Sequence, residues 1–123
     1  MAITDIGIVS IPVTDQDRAV AFYAGVLGFE VINDSPKGPE MRWVQLAPPG
    51  ATTSITLVTW LAKLTPGSAS LLLNTDDLEA DIEKFRTGGV VIGDIAEEFW
   101  GRFVMLEDPD GNGIIVRGAP SSQ

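Results

Sequence analysis

Apolar and polar residues alternate along several short stretches of the chain, and a period of two marks strands with two distinct faces. These stretches cover residues 9–13, 29–33, 41–47, 54–60, 71–75, 90–92, 102–107 and 114–117. Two segments switch to a helical period. Val20, Tyr23, Val26 and Leu27 fall on one side of a helix that Thr14 should cap and Gly28 should end. Leu78, Ile82 and Phe85 do the same in a second helix, with Asp76 as its cap and Gly88-Gly89 at its end.

The order of these elements repeats. Arg42-Trp43-Val44-Gln45-Leu46 returns as Arg102-Phe103-Val104-Met105-Leu106, an offset of 60 residues. A turn follows each copy, Pro48-Pro49-Gly50 and then Asp108-Pro109-Asp110-Gly111-Asn112, and a short apolar strand follows each turn. Each half therefore reads β-α-β-β-β. Two copies are too few for a solenoid, but they suit one domain with pseudo-twofold symmetry. Module one is expected over about residues 1–62, a Pro-Gly linker over 63–68, module two over about 69–118 and a tail over 119–123. The expected class is α+β: two βαβββ modules with pseudo-twofold symmetry.

Alternation divides the strand residues further. One face collects Val9, Ile11, Val13, Val44, Leu46, Ile55, Leu57, Leu71, Leu73, Val104, Leu106, Ile114 and Val116. It is uniformly apolar and should pack on the helices. The other face mixes Trp43, Gln45, Thr56, Ser70, Phe103, Met105 and Ile115 with small and apolar neighbours. A solvated face would carry Lys and Glu, whereas aromatic, thioether and hydroxyl groups together suit a pocket for an organic molecule. An interface between two copies would have the same composition.

Composition narrows the chemistry. The 123 residues hold no Cys and no His, which excludes disulfides, thiol nucleophiles, iron–sulfur clusters, a Ser-His-Asp triad and every His-containing metal site. The net charge of −9 argues against nucleic-acid binding and against docking on an anionic membrane. Residues 1–5 have no basic character and no apolar run reaches membrane-spanning length, so a cytoplasmic location is expected.

The stretches Val9 to Tyr23, Val26-Leu27-Gly28-Phe29-Glu30-Val31 and Asp108-Pro109-Asp110-Gly111-Asn112, taken with the repeat, resemble the vicinal oxygen chelate superfamily of glyoxalases, bleomycin-resistance proteins and extradiol dioxygenases. The resemblance implies that the two modules form an open, cupped mixed sheet with helices on the outside, that the ligand binds in the cup and that the protein is a homodimer. Enzymes of this family hold a divalent metal through His and Glu, and those places fall here on Ile8, Thr56, Ser70 and Ile115. Ile8 and Ile115 have no donor atom, and a neutral hydroxyl does not hold such an ion alone. No metal, cofactor or catalytic residue is therefore assigned. The reading is a metal-free protein that binds and sequesters a small aromatic or cationic drug or metabolite, in the manner of antibiotic-binding resistance proteins. A divergent lyase, isomerase or dioxygenase of the same superfamily is the alternative.

Some residues admit two readings. Phe99 and Trp100, beside Glu97 and Glu98, suit the rim of a pocket for a cation. Trp43 is the leading ring to stack on a ligand. Arg42 and Arg102 read as salt-bridge partners at strand starts. The Asp108–Asn112 stretch imitates the start of a calcium loop, but its twelfth place is Ala119, so a side-chain-bonded turn is expected instead.

Overall fold

The computed structural model describes residues 2–119. Eight strands form two four-stranded mixed sheets. The first holds β1 (Ile8–Pro12), β2 (Glu30–Pro36), β3 (Arg42–Ala47) and β4 (Ser54–Val58) in the order β1-β4-β3-β2. The second holds β5 (Ser70–Asn74), β6 (Ala96–Glu98), β7 (Gly101–Glu107) and β8 (Gly113–Gly118) in the order β5-β8-β7-β6. In each sheet the first strand runs parallel to the last and the other pairs are antiparallel. A helical segment follows β1, and α2 (Leu78–Thr87) follows β5. This is the α+β, twice-repeated βαβββ architecture.

The apolar strand faces do what their alternation requires. Ile11, Val44, Leu46, Ile55, Leu57, Val104, Leu106, Ile114 and Val116 are buried in one cluster with Ala19, Phe22, Tyr23, Leu78, Ile82 and Phe85 of the helical segments. Both sheets and both helical segments thus share a single core.

Three local details differ from the sequence reading. Asp15, not Thr14, caps α1 (Gln16–Val20), accepting from the Arg18 amide at 3.1 Å. Thr14 is engaged elsewhere, donating its hydroxyl to Asp110 Oδ1 of the other half at 2.6 Å. Asp77 likewise caps α2 in place of Asp76. After Val20 the helix widens into a π-helical segment, Ala21–Val26, closed by a bond from the Leu27 amide to the Phe22 carbonyl. Both Phe22 and Tyr23 are buried there, ring centroids 5.3 Å apart and edge to face.

The third difference lies in module two. The strand expected at residues 90–92 forms instead at Ala96–Glu98. Val90 and Ile92 still pack on the core, but without a sheet partner. The hairpin to β7 decides the register: Glu98 pairs with Gly101 across a turn of two residues, Phe99 and Trp100. Burial alone can hold 90–92 in place, but only the turn can zip a ladder.

Candidate functional site

The mixed faces bring the sequence candidates together in two groups. On the first sheet, Trp43 Nε1 donates to Gln45 Oε1 at 3.1 Å, and Gln45 Nε2 donates to Ser54 Oγ at 2.8 Å. Trp60 lies 6.4 Å from Trp43, ring to ring. Thr56 pairs with Ser10 on one side and Gln45 on the other. Its Oγ1 is buried and makes no hydrogen bond among the described residues. Buried hydroxyls nearly always have a partner, so this one has unmet capacity on the floor of the face.

On the second sheet, Trp100 stacks on Phe103 with centroids 4.6 Å apart and 16° between planes. Phe103 pairs with Arg117, and Arg117 with Asn74, in one row across the sheet. Ile115 forms the next row between Leu72 and Met105. Met105 is 58% exposed and borders a depression of about 650 Å³ with Ile92 and Pro109. Ser70 is exposed at the start of β5. Phe99 is 92% exposed at the β6–β7 turn, and Glu97 and Glu98 are exposed on β6. No hydrogen bond or ring contact joins the two groups among the described residues.

The sequence reading passed over Asn74 and Arg117 as site residues. Arg117 and Asn74 were on the right face by alternation. What alternation could not show is that Arg117 Nε and Nη2 both donate to Asn74 Oδ1, at 2.9 and 2.6 Å, and that the guanidinium carbon sits 5.9 Å from the Trp100 ring.

The charged residues set aside earlier are structural. Arg42 bonds Asp34 and Asp17, the former through two nitrogens at 2.8 Å each. The hydrogen bond from Arg42 lowers the Asp34 pKa below the ordinary carboxylate range. Arg102 meets Glu79 at 2.6 Å and lowers its pKa in the same way. The Asp108–Asn112 stretch is a self-bonded turn: Asp108 Oδ1 accepts from the amides of Asp110 and Asn112, each at 2.9 Å.

The family's metal positions can be tested on their donors. Ile8 and Ile115 offer none, Ser70 and Thr56 one neutral hydroxyl each, and these do not fit a catalytic divalent ion. Among the described residues no three His, Cys, Asp or Glu side chains group as ligands.

Residues 5–116 match the Glyoxalase/Bleomycin resistance protein/Dioxygenase superfamily. The chain belongs to that superfamily. It is 43% identical to TnmS3, an antibiotic binding protein from Streptomyces sp. CB03234, with 98% of this chain and 99% of that one covered at a TM-score of 0.92. A glyoxalase/bleomycin resistance protein from the same strain is 42% identical, covering 92% and 99% at a TM-score of 0.82. YetH of Bacillus subtilis (strain 168), an uncharacterized protein, is 36% identical over 120 residues, which is 94% of this chain and 98% of YetH. Among the described residues, no helix of this superfamily member is long and apolar enough to cross a membrane.

Proposed function

We propose that this protein binds and sequesters a small ring-bearing organic molecule on the mixed faces of its sheets, without a metal and without changing the molecule chemically. The observation that carries this is the arrangement of the mixed faces themselves. Two pairs of aromatic rings, Trp43–Trp60 and Trp100–Phe103, stand beside polar groups with spare hydrogen-bonding capacity. Broad apolar surface with a few placed polar groups is the usual make-up of a site for a small molecule. The likeness to an antibiotic binding protein over nearly the whole chain supports an antibiotic as the class of ligand. The donor-poor Ile8, Thr56, Ser70 and Ile115 positions support binding over the metal-dependent reactions known elsewhere in the superfamily.

Titration with bleomycin, followed by tryptophan fluorescence, tests the reading directly. Three tryptophans are present, and all three lie in or beside the two groups. Saturable quenching is expected, with the bleomycin recovered intact. Trp43→Ala should weaken binding by about 2 kcal/mol, the loss typical of a central aromatic anchor. An unchanged affinity in a folded Trp43→Ala protein would return Trp43 to a packing role.

The proposal includes a homodimer. Ile8, Leu72, Met105 and Phe99 leave large apolar surface exposed on one chain, and a second copy would cover it and enclose the ligand. Sedimentation at micromolar concentrations should give twice the chain mass. A monomer there would remove the partner from the site.

A further inference from the structure

Arg117 stands apart from the other arginines. Arg18, Arg42 and Arg102 each meet a carboxylate. Arg86 is exposed in the last turn of α2, where a cation suits the helix carbonyls. Arg117 has no carboxylate within ion-pair distance among the described residues. Its partner is the neutral Asn74 side chain, which orients the guanidinium and leaves its charge without a carboxylate among the described residues. A guanidinium has five N–H groups. Two of the Arg117 nitrogens bond Asn74, and the side chain makes no other hydrogen bond among the described residues.

Two further features hold this side chain. Gly101 has a φ of +145°, and a Cβ there would lie 2.9 Å from Arg117 Cγ and 3.1 Å from Cδ. The stem of Arg117 therefore occupies the slot left by the missing side chain. Trp100, already stacked on Phe103, flanks the guanidinium. Together Asn74, Thr75, Trp100, Arg117, Gly118 and Ala119 line a depression of about 330 Å³.

The fold itself does not require the arrangement. In the first sheet the last pair of the parallel ladder is Pro12 with Val58, and in the second it is Asn74 with Arg117. The pseudo-symmetric position is thus filled by apolar residues that make no such bonds. The polar pair is an addition to one module only.

We propose that Arg117 is the polar anchor of the binding face, recognising a ligand that carries an anionic oxygen on an aromatic ring. The ring lies against Trp100 and Phe103, and the oxygen takes the free N–H groups of a guanidinium held in advance by Asn74 and Gly101. A planar, weakly hydrated fork fixed before binding loses little freedom when it bonds such an oxygen. This deepens the proposed function, on which it rests, by giving the ligand's charge its sign.

Calorimetric titration of the full chain with 2-naphthoate, 2-naphthylmethanol and 2-naphthylmethylammonium tests it. The carboxylate should bind about tenfold more tightly than the alcohol, a ratio within reach of one charge-assisted pair. Arg117→Gln should abolish that advantage, weakening the carboxylate about tenfold and the alcohol by less, since only the carboxylate loses a partner of opposite charge. Arg117→Lys should restore only part of it. In the unmodified protein, the Arg117 Nη–H resonances, which include the N–H groups not bonded to Asn74, should shift downfield with naphthoate and much less with the alcohol, a readout that survives even if a variant misfolds. Equal affinities for carboxylate and alcohol, tightest binding of the ammonium compound, or a uniform loss of all three in Arg117→Gln would overturn the anchor and leave ring binding intact. Failure of all three compounds to bind would sink the ring-binding reading and this proposal together.

Discussion

Replacing Asn112 by alanine is expected to destabilise the protein by about 3–5 kcal/mol, the range in which a buried hydrogen-bond network is broken. Asn112 is 1% exposed and uses its whole side chain. Its Nδ2 donates to the Pro12 carbonyl at 2.9 Å and to Asp108 Oδ2 at 2.8 Å. Its Oδ1 accepts from the amides of Gly67 and Ala69, both at 3.0 Å. One side chain thus ties the end of β1 and the connection between modules to the loop before β8. Alanine would leave two half-buried amides, and a carbonyl and part of a carboxylate in a buried site, without partners. At about 4 °C per kcal/mol for a domain of this size, the melting temperature should fall by roughly 12–20 °C. Asn112→Asp keeps an acceptor for the two amides but sets a second carboxylate against Asp108, so it should be no better. A melting temperature within a few degrees of the parent would show that the loop is not the fastening between modules.

Tyr23 should make stability fall steeply in alkali. Its ring is fully buried and its hydroxyl donates to Asp108 Oδ2 at 2.9 Å. Burial and then the Asp108 charge push its pKa far above the ordinary tyrosine value. The sign follows from linkage. The folded protein keeps the proton, while the unfolded chain releases it near pH 10. The stabilisation is fully present below pH 10 and is lost above it, by about 1.4 kcal/mol per pH unit. Tyr23→Phe should cost about 1.5–3 kcal/mol at neutral pH, the worth of a hydrogen bond to a charged acceptor. The same variant should lack that part of the alkaline slope. Tyr23 is the single tyrosine in the chain, so tyrosinate absorbance reports on it alone and should rise only with unfolding. Titration of that absorbance near pH 10 in the folded protein would refute the burial argument.

The core was legible because its signal is local. Val44, Leu46, Val104 and Leu106 alternate with residues of the other face, and a strand must place alternate side chains on opposite sides. The 60-residue offset made the two modules visible in the same way. The helix caps were less legible. Thr14 and Asp15 are both good caps, and so are Asp76 and Asp77. The choice at the first helix went to Asp15 where Thr14 was taken by Asp110, 96 positions away in the chain. The strand at Ala96–Glu98 was hidden for a related reason. Its residues are only three, two of them glutamates, and the tight turn to Gly101 gives it a partner.

Sequence by itself determined the class of fold, the inward face of six of the eight strands and the poverty of metal donors at Ile8, Thr56, Ser70 and Ile115. The first two follow from residue type and period, which no distant contact can change, and the third from residue type at the places that the family resemblance assigns to the ligands. Tertiary structure decided what the polar residues do. Asp108 and Asn112 became a fastening between modules because Tyr23, Pro12, Gly67 and Ala69 converge on them. Arg117 became an oriented cation because Asn74, Gly101 and Trp100 surround it. An apolar residue needs only to leave water, and its pattern says where it goes. A polar residue needs a particular partner at a particular distance, and that partner is chosen only when the chain has closed on itself.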